Sequence, residues 1–215
     1  MTMPRIDEIL RLLKKKYPAP AIALGSKNPW ELLVATILSA QCTDVRVNLV
    51  TAGLFKEYRS IKDYAKADPE SFRQAIRPTG FYRNKAKNII ACANKILKDF
   101  GGKVPDDMGS LLTLPGVARK TANVVLYNAF GKNEGIAVDT HVNRVSQRLG
   151  LAKSSDPLKI EQELLKQLER REWGDFSLRL ILHGRQTCIA RRPKCPECVL
   201  GAICPSKKIF YPSSR

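Results

Sequence analysis

Four of the six cysteines lie close together near the C-terminal end of the chain, at a spacing that suits a bound metal ion or cluster. Cys188, Cys195, Cys198 and Cys204 follow the pattern C-x6-C-x2-C-x5-C. Four thiolates so near one another can ligate zinc or an iron–sulfur cluster. Structural zinc sites usually pair two C-x-x-C knuckles across a longer spacer, and this pattern contains only one. The spacing therefore favours the cluster and leaves zinc open.

Three cations stand between the first two of these cysteines, namely Arg191, Arg192 and Lys194. A loop that is held by a bound group and displays cations suits contact with phosphate groups, because such contacts are largely electrostatic.

The stretch LPGVARKTA, residues 114–122, predicts a tight Pro-Gly turn between two helices. Lys120 then falls in the first turn of the second helix, where the helix dipole disfavours a cation. That field, together with partial burial, lowers a lysine pKa and so supplies neutral amine, the form that attacks carbon. A helical hairpin also presents backbone N–H groups to an anion, although an ordinary structural hairpin remains an equal alternative.

Asp139 stands immediately before the segment THVNRV, which reads as the start of a helix. Its carboxylate could accept a proton in a reaction. The same position predicts an N-cap, which is the interpretation that the residues alone favour. The two roles can coexist.

The elements that position these residues are all predicted to be helices. No apolar alternation persists over the usual length of a strand, and the only short candidate is GIAV at 135–138. The fold class is therefore predicted to be all-α. Helix starts are predicted at Asn28-Pro29, Thr43-Asp44 and Asp68-Pro69, and later helices at about 83–100, 107–113, 118–130, 140–149, 157–171 and 175–187.

The charge balance points to a polyanionic partner. The 215 residues carry a formal net charge of +17, which favours nucleic acid over a merely solvated basic surface. A structural protein of the ribosomal type also fits this charge. No apolar run is long enough for a membrane span, and residues 1–16 do not read as a signal peptide, so we expect a cytoplasmic protein.

Taken together, these motifs resemble the endonuclease III family, the DNA glycosylase/AP lyases of the helix–hairpin–helix superfamily. The resemblance covers nearly the whole chain and is carried by five segments: 32–48, 79–89, 104–126, 136–151 and 181–204. The cysteine spacing matches the ligands of that family's [4Fe–4S] cluster. The lysine after the hairpin and the aspartate of VDTH match its catalytic pair.

The resemblance implies a helix–hairpin–helix glycosylase fold of two domains. A six-helix barrel at 25–133 would carry the hairpin, and a cluster domain at 134–215, with its cluster loop at 188–204, would pack with the N-terminal helix at 1–24. Double-stranded DNA would lie in the cleft between the domains, with Lys120 and Asp139 at its mouth.

The resemblance also implies a reaction in base excision repair. Oxidised or ring-saturated pyrimidines are flipped out of duplex DNA, and Lys120 displaces the base by attacking C1′ while Asp139 assists. A Schiff base forms, and β-elimination then breaks the strand. Duplexes with damaged bases or abasic sites would be the partners of a monomeric, nucleoid-associated enzyme.

Six further residues receive roles on DNA by the same resemblance. Gln41 would fill the gap left by the flipped base, although from the residues alone a polar residue at a helix C-terminus has half the weight. Phe81 stands where the family commonly has a leucine wedge, and could instead be a core ring. His141 would contact DNA or make only a local hydrogen bond. The other three, in the hairpin, are Gly116, Ala118 and Arg119.

Two departures from the family pattern bear on these roles. Ala118 replaces the second hairpin glycine, which is unfavourable if the backbone there needs a positive φ. Cys42 replaces a common alanine, and both it and Cys92 are expected to be small buried side chains.

Two other functions remain open from the residues. A monofunctional glycosylase of the same superfamily would share the hairpin, the aspartate and the cluster, but would normally lack Lys120. A non-catalytic DNA-binding or redox-sensing protein would need neither Lys120 nor Asp139.

Overall fold

The computed structural model describes residues 6–212 of the chain, and all regular structure within that range is helical. The predicted all-α fold is confirmed, and the segment 135–138 is buried without forming a strand. The α-helices described are α1 (Ile6–Lys16), α2 (Pro29–Leu38), α3 (Asp44–Glu57), α4 (Ile61–Ala65), α5 (Pro69–Ile76), α6 (Tyr82–Asp99), α7 (Met108–Leu112), α8 (Arg119–Phe130), α9 (Thr140–Arg148), α10 (Pro157–Leu165), α11 (Trp173–Gln186) and α12 (Lys207–Phe210). Short 3-10 helices occupy Arg77–Thr79, Arg170–Glu172 and Cys195–Glu197.

The chain divides into two compact units. The hairpin unit is Ile22–Lys132, and the cysteine unit combines the segment ending at Ala21 with the segment that begins at Asn133. Each unit has its own hydrophobic core. None of the helices described is both long enough and apolar enough to cross a membrane.

The predicted helix starts of the hairpin unit are confirmed by their capping bonds. Asn28 accepts from the backbone N–H of Glu31, and Pro29 occupies the first helical position. The side chains of Thr43 and Asp68 cap α3 and α5 in the same way. Each bond satisfies a backbone donor that has no partner inside its own helix.

The core of the hairpin unit is built on α2 and α6. Every residue of α2 from Leu32 to Leu38 is buried, as its all-round apolar sequence predicts. Helix α6 packs against α4 and α5, and α2 packs against α8. A cluster of aromatic rings fills one side of this core, with ring centroids 5.1 to 5.7 Å apart: Trp30, Tyr58, Tyr64 and Phe72.

In the cysteine unit, α9 packs against α11, and α1 adds the fully buried side chains of Ile9 and Leu13 to the same core. The carbonyl of Tyr17, just after α1, accepts a hydrogen bond from the buried guanidinium of Arg179 on α11. This bond fixes the end of the N-terminal helix. Residues 1–5 and 213–215, which fall in the two predicted terminal segments, lie outside the described residues.

One helix boundary was predicted wrongly. The helix expected at 157–171 ends at Leu165, and a 3-10 turn follows at Arg170–Glu172. The Gln167 side chain donates to the carbonyls of Glu163 and Leu151, and the buried Leu168 turns into the core. These tertiary contacts end the helix where the local sequence would have continued it.

A short helix, α4, was missed. Its signal was present in the sequence, because Ser60 and Asp63 form a reciprocal capping box at its start. The terminal helix α12 and the 3-10 turn at Cys195–Glu197 were missed as well, and each is only one turn long.

Candidate nucleic-acid interface and cysteine site

The predicted helical hairpin is present, with α7 and α8 joined by the turn at 113–118. Gly116 has a φ of +78°, and a Cβ atom added to it would lie 2.9 Å from the Cβ of Asn88. Both the backbone conformation and the close approach to α6 therefore require glycine. Val117 is buried beside it and anchors the turn in the core.

Ala118 does not strain the hairpin. Its φ of −96° and ψ of 170° are extended, so the missing second glycine has no conformational cost. Ala118 is the N-cap of α8 and provides no side-chain oxygen to the backbone N–H groups that follow. The N-terminus of α8 thus keeps donors that an anion could accept from.

Lys120 is the second residue of α8, and no acidic residue lies in the first turn of that helix. The cation is therefore placed against the helix dipole, as the sequence predicts. The expected partial burial is wrong, because Lys120 is exposed. Exposure leaves its side chain accessible to a large substrate.

Asp139 caps α9, as predicted. Its Oδ1 accepts hydrogen bonds from the backbone N–H groups of His141 and Val142, both at 2.8 Å. The residue is half-buried, and the segment 135–138 that leads to it is buried. The two capping bonds therefore hold the carboxylate in one orientation.

His141 makes the local hydrogen bond that the sequence left as an alternative. Its Nδ1 lies 3.1 Å from Nη2 of Arg144, and because a guanidinium can only donate, the imidazole accepts. Burial lowers the pKa of His141, and the charge of Arg144 lowers it further, although Asp139 opposes the shift. A contact between His141 and DNA remains a prediction.

Gln41 and Phe81 are brought together with the hairpin. Both have left-handed backbones, with φ of 53° and 48°, which is uncommon for residues other than glycine. Phe81 is 63% exposed, so the interpretation as a core ring is wrong. Gln41 is also exposed and lies beyond the end of α2. Both side chains line one pocket that Gly116 also lines.

The four clustered cysteines share one cavity of the cysteine unit. All four are free thiols and half-buried. Burial raises the pKa of Cys198 to about 11 and also raises those of Cys195 and Cys204, and the charge of Cys188 acts in the same direction on all three. Among residues 6–212 no set of three or more Cys, His, Asp or Glu side chains is arranged as a site for a metal ion.

The basic loop displays its three cations as predicted, because Arg191, Arg192 and Lys194 are all exposed while Pro193 is buried between them. The loop is held at both ends. The N–H of Lys194 donates to the carbonyl of Thr187 at 2.9 Å.

Arg148 holds the other end of the loop, and sequence reasoning missed it. Its guanidinium donates to the carbonyls of Ile189 and Ala190 at 2.8 Å and lies 3.4 Å from Sγ of Cys188. Its guanidinium carbon also lies over the ring of Phe210, 4.5 Å from the ring centroid. An arginine near a helix end has an ordinary local explanation, and nothing in the sequence marks these long-range partners.

Comparison with known proteins decides the family. Residues 34–170 match the family model described as the HhH-GPD superfamily base excision DNA repair protein. A protein of Synechocystis named Endonuclease III is 54% identical over 94% of this chain and 92% of its own length. The chain belongs to the endonuclease III family. It is therefore a base excision repair enzyme with DNA glycosylase and AP lyase activity.

Solved structures of the endonuclease III family agree with this fold. A non-covalent endonuclease III–DNA complex and a trapped endonuclease III–DNA covalent intermediate each match with a TM-score of 0.92 and 44% identity, over 97% of this chain and 98% of theirs. Membership of the endonuclease III family sets aside the monofunctional and non-catalytic alternatives.

The geometry of the hairpin generates a first prediction. Gly116→Ala should lower the free energy of unfolding by about 1–2 kcal/mol for the left-handed backbone, plus the cost of the contact with Asn88. Ala118→Gly is the matched control and should change stability much less, because φ is negative there. Denaturant midpoints at a constant m-value measure both. Equal stability of Gly116→Ala and the parent chain would show that the turn does not require glycine at this position.

Proposed function

We propose that this enzyme excises oxidised or ring-saturated pyrimidines from duplex DNA through a lysine Schiff base and then cleaves the strand by β-elimination. The observation that carries the proposal is the exposed Lys120 in an uncapped first helical turn, directly after the hairpin. A cation in that place contributes nothing to helix stability, and its amine is accessible to substrate. The hairpin unit would be the six-helix barrel domain and the cysteine unit the cluster domain.

In this proposal the neutral amine of Lys120 attacks C1′ of the damaged nucleotide. The bond from Nζ to C1′ forms as the glycosidic bond breaks, and the base leaves with the bonding electron pair. The sugar opens to a Schiff base, which acidifies C2′. Loss of the C2′ proton then expels the 3′ phosphate and cleaves the strand.

Asp139 assists as a proton acceptor or by stabilising positive charge on the sugar. Its two capping bonds both go to Oδ1, so Oδ2 is the oxygen proposed to face the reaction. Capping fixes the direction of the carboxylate, and the structural and catalytic roles therefore support each other.

Gln41 and Phe81 are proposed to act on the base stack. The sugar C1′ is inaccessible inside a duplex, so the damaged nucleotide must leave the stack. An exposed Phe81 can insert between base steps, while Gln41 fills the gap left by the flipped base. Their shared pocket and fixed backbones support this pairing.

The other DNA contacts are proposed to be contacts to the backbone. Gly116, Ala118 and Arg119 would present the hairpin to phosphates, and His141 would lie on the DNA side of α9. The basic loop Arg191, Arg192 and Lys194 adds charge without reading sequence. Double-stranded DNA with damaged bases or abasic sites is the proposed partner of a monomer that works in the cytoplasm on the nucleoid.

The four clustered cysteines are proposed to hold a [4Fe–4S] cluster. The donor set fits, because four thiols line one cavity, and burial together with the neighbouring cysteines raises the pKa values of Cys195, Cys198 and Cys204. Such thiolates need a cationic group to stabilise them together. The cluster would supply that charge and a rigid link across 188–204. Its role here would be structural, because it fixes the basic loop.

Substitutions at Lys120 and Asp139 separate the two proposed roles. Lys120→Ala should abolish borohydride trapping on lesion DNA and strand cleavage, because the only proposed amine nucleophile is gone. Asp139→Asn keeps an N-cap oxygen and should fold normally, yet slow base excision by roughly 10²–10⁴-fold. Lys98→Ala, at an exposed lysine of α6, is the control.

The readouts are single-turnover excision and the yield of trapped adduct. Trapping of Lys120→Ala at the rate of the parent enzyme would exclude Lys120 as the nucleophile. Unchanged excision by Asp139→Asn would leave Asp139 as a cap alone.

The four clustered cysteines lead to a prediction about the metal content of the protein. Purified under anaerobic conditions, the protein should contain iron and sulfide and absorb visible light. Cys195→Ser should lower cluster content and DNA affinity, whereas Cys42→Ser, outside the site, should keep both. Elemental analysis that finds stoichiometric zinc and no iron would overturn the assignment.

The basic surface predicts a steep dependence on salt. A footprint of about 6–10 phosphates should lose roughly 10³–10⁵ in affinity between about 50 and 200 mM salt. Arg191→Ala should reduce the slope of log K against log salt by about 0.9 and leave lesion preference unchanged. Binding titrations on lesion and undamaged duplexes measure both quantities, and a flat salt dependence would contradict phosphate contact.

A further inference from the structure

A buried lysine joins the two loops that carry Gln41 and Phe81. Lys85, on α6, is only 5% exposed, although lysine side chains usually lie on the protein surface. Its Nζ donates to the backbone carbonyls of Leu38 and Thr79, both at 2.8 Å. One side chain thus links two segments that are 41 residues apart in the chain.

Both carbonyls belong to the ends of helices. Leu38 is the last residue of α2, and Thr79 is the last residue of the 3-10 turn before α6. Carbonyls in such positions lack partners inside their own helix and carry partial negative charge, so an ammonium group stabilises both at once.

Burial makes this arrangement demanding. Removal from water lowers the pKa of Lys85, and a charged group in such a place persists only when hydrogen bonds satisfy it. Two bonds at 2.8 Å supply that compensation. Because burying the ammonium group is unfavourable, we infer that Lys85 is kept for the link between the two carbonyls.

The two residues with left-handed backbones lie just after the linked carbonyls in the sequence. Gln41 lies three residues after Leu38, and Phe81 lies two residues after Thr79. Left-handed backbones at residues other than glycine are unfavourable and persist only where the surroundings determine them. The backbone N–H of Lys85 donates to the carbonyl of Phe81 at 3.1 Å as the first helical bond of α6, so the lysine that reaches the Thr79 carbonyl lies one turn from Phe81.

We propose that Lys85 is a positioning residue that sets the spacing of Gln41 and Phe81, so that both enter the base stack in one step. The inference rests on the proposed function, which assigns these two side chains to the stack. Lys85 lines the same pocket but acts through the two carbonyls rather than on DNA.

The test removes the link and keeps the volume. Lys85→Met preserves an unbranched side chain but cannot donate to either carbonyl. Lys85→Arg retains donors, and Lys98→Met removes one charge from an exposed site on the same helix. Each variant is assayed well below its own melting temperature, on a duplex with one oxidised pyrimidine and a 2-aminopurine reporter beside it.

Loss of the spacing between Gln41 and Phe81 should impair their entry into the base stack more than it impairs the reaction at the sugar. Misplacement of about 1 Å can cost roughly 10²-fold in rate, so Lys85→Met should slow base excision by about 10- to 100-fold. The rise in 2-aminopurine fluorescence on binding should fall with it. Cleavage of a preformed abasic site should change little, since no base remains to be displaced. Lys85→Arg should recover most of the signal, and Lys98→Met should match the parent enzyme.

Two results would overturn the proposal. Lys85→Met with unchanged excision and fluorescence would exclude positioning. Equal losses on lesion and abasic duplexes would show a merely structural lysine. If Lys85→Met does not fold, Lys85→Gln, whose shorter amide can reach at most one carbonyl, takes its place with the same outcomes.

Gln41→Ala and Phe81→Ala separate this inference from the proposed function. If both leave excision and fluorescence unchanged, the stack roles of Gln41 and Phe81 fail, and Lys85 has nothing to position. If both impair excision while Lys85→Met does not, only the inference about Lys85 fails.

Discussion

The close approach of Gly116 to Asn88 fixes how near the turn of the helical hairpin packs to α6, and with it the position from which α8 begins. A side chain at Gly116 would collide with α6 at 2.9 Å, so the turn can pack at this distance only without one. The turn sets the start of α8 and hence the place of Lys120. The same helix, α6, carries Lys85 and begins next to Phe81. The hairpin turn, Lys85 and the start of α6 beside Phe81 thus share one helix as their support.

The cysteine unit brings three exposed cations close to four thiols. Arg191, Arg192 and Lys194 stand together on one loop, and four thiols converge on the cavity beside it. Arg148 contacts both the basic loop and the thiols, because its guanidinium donates to the loop carbonyls and lies against the sulfur of Cys188. Like Lys85, it is a cation that satisfies backbone carbonyls and thereby fixes a loop.

Local rules predicted the parts of this structure that depend on neighbouring residues. Asn28 and Asp139 cap the predicted helices because an N-cap bond spans only two or three residues. Long-range contacts were invisible to the same rules. The end of α10 depends on the carbonyl of Leu151, and the role of Lys85 depends on that of Leu38. Sequence patterns identify which side chain can donate, but they do not identify which distant carbonyl is left without a donor.

The left-handed backbones of Gln41 and Phe81 have a consequence for encounter with DNA. Both conformations already exist in the free protein, so their strain is borne by folding and not by association. In the proposed complex no main-chain rearrangement is needed at these two positions, so their backbone is preorganised for the duplex. At these two positions the change of shape is then left to the nucleic acid, whose resistance to deformation depends on the base step.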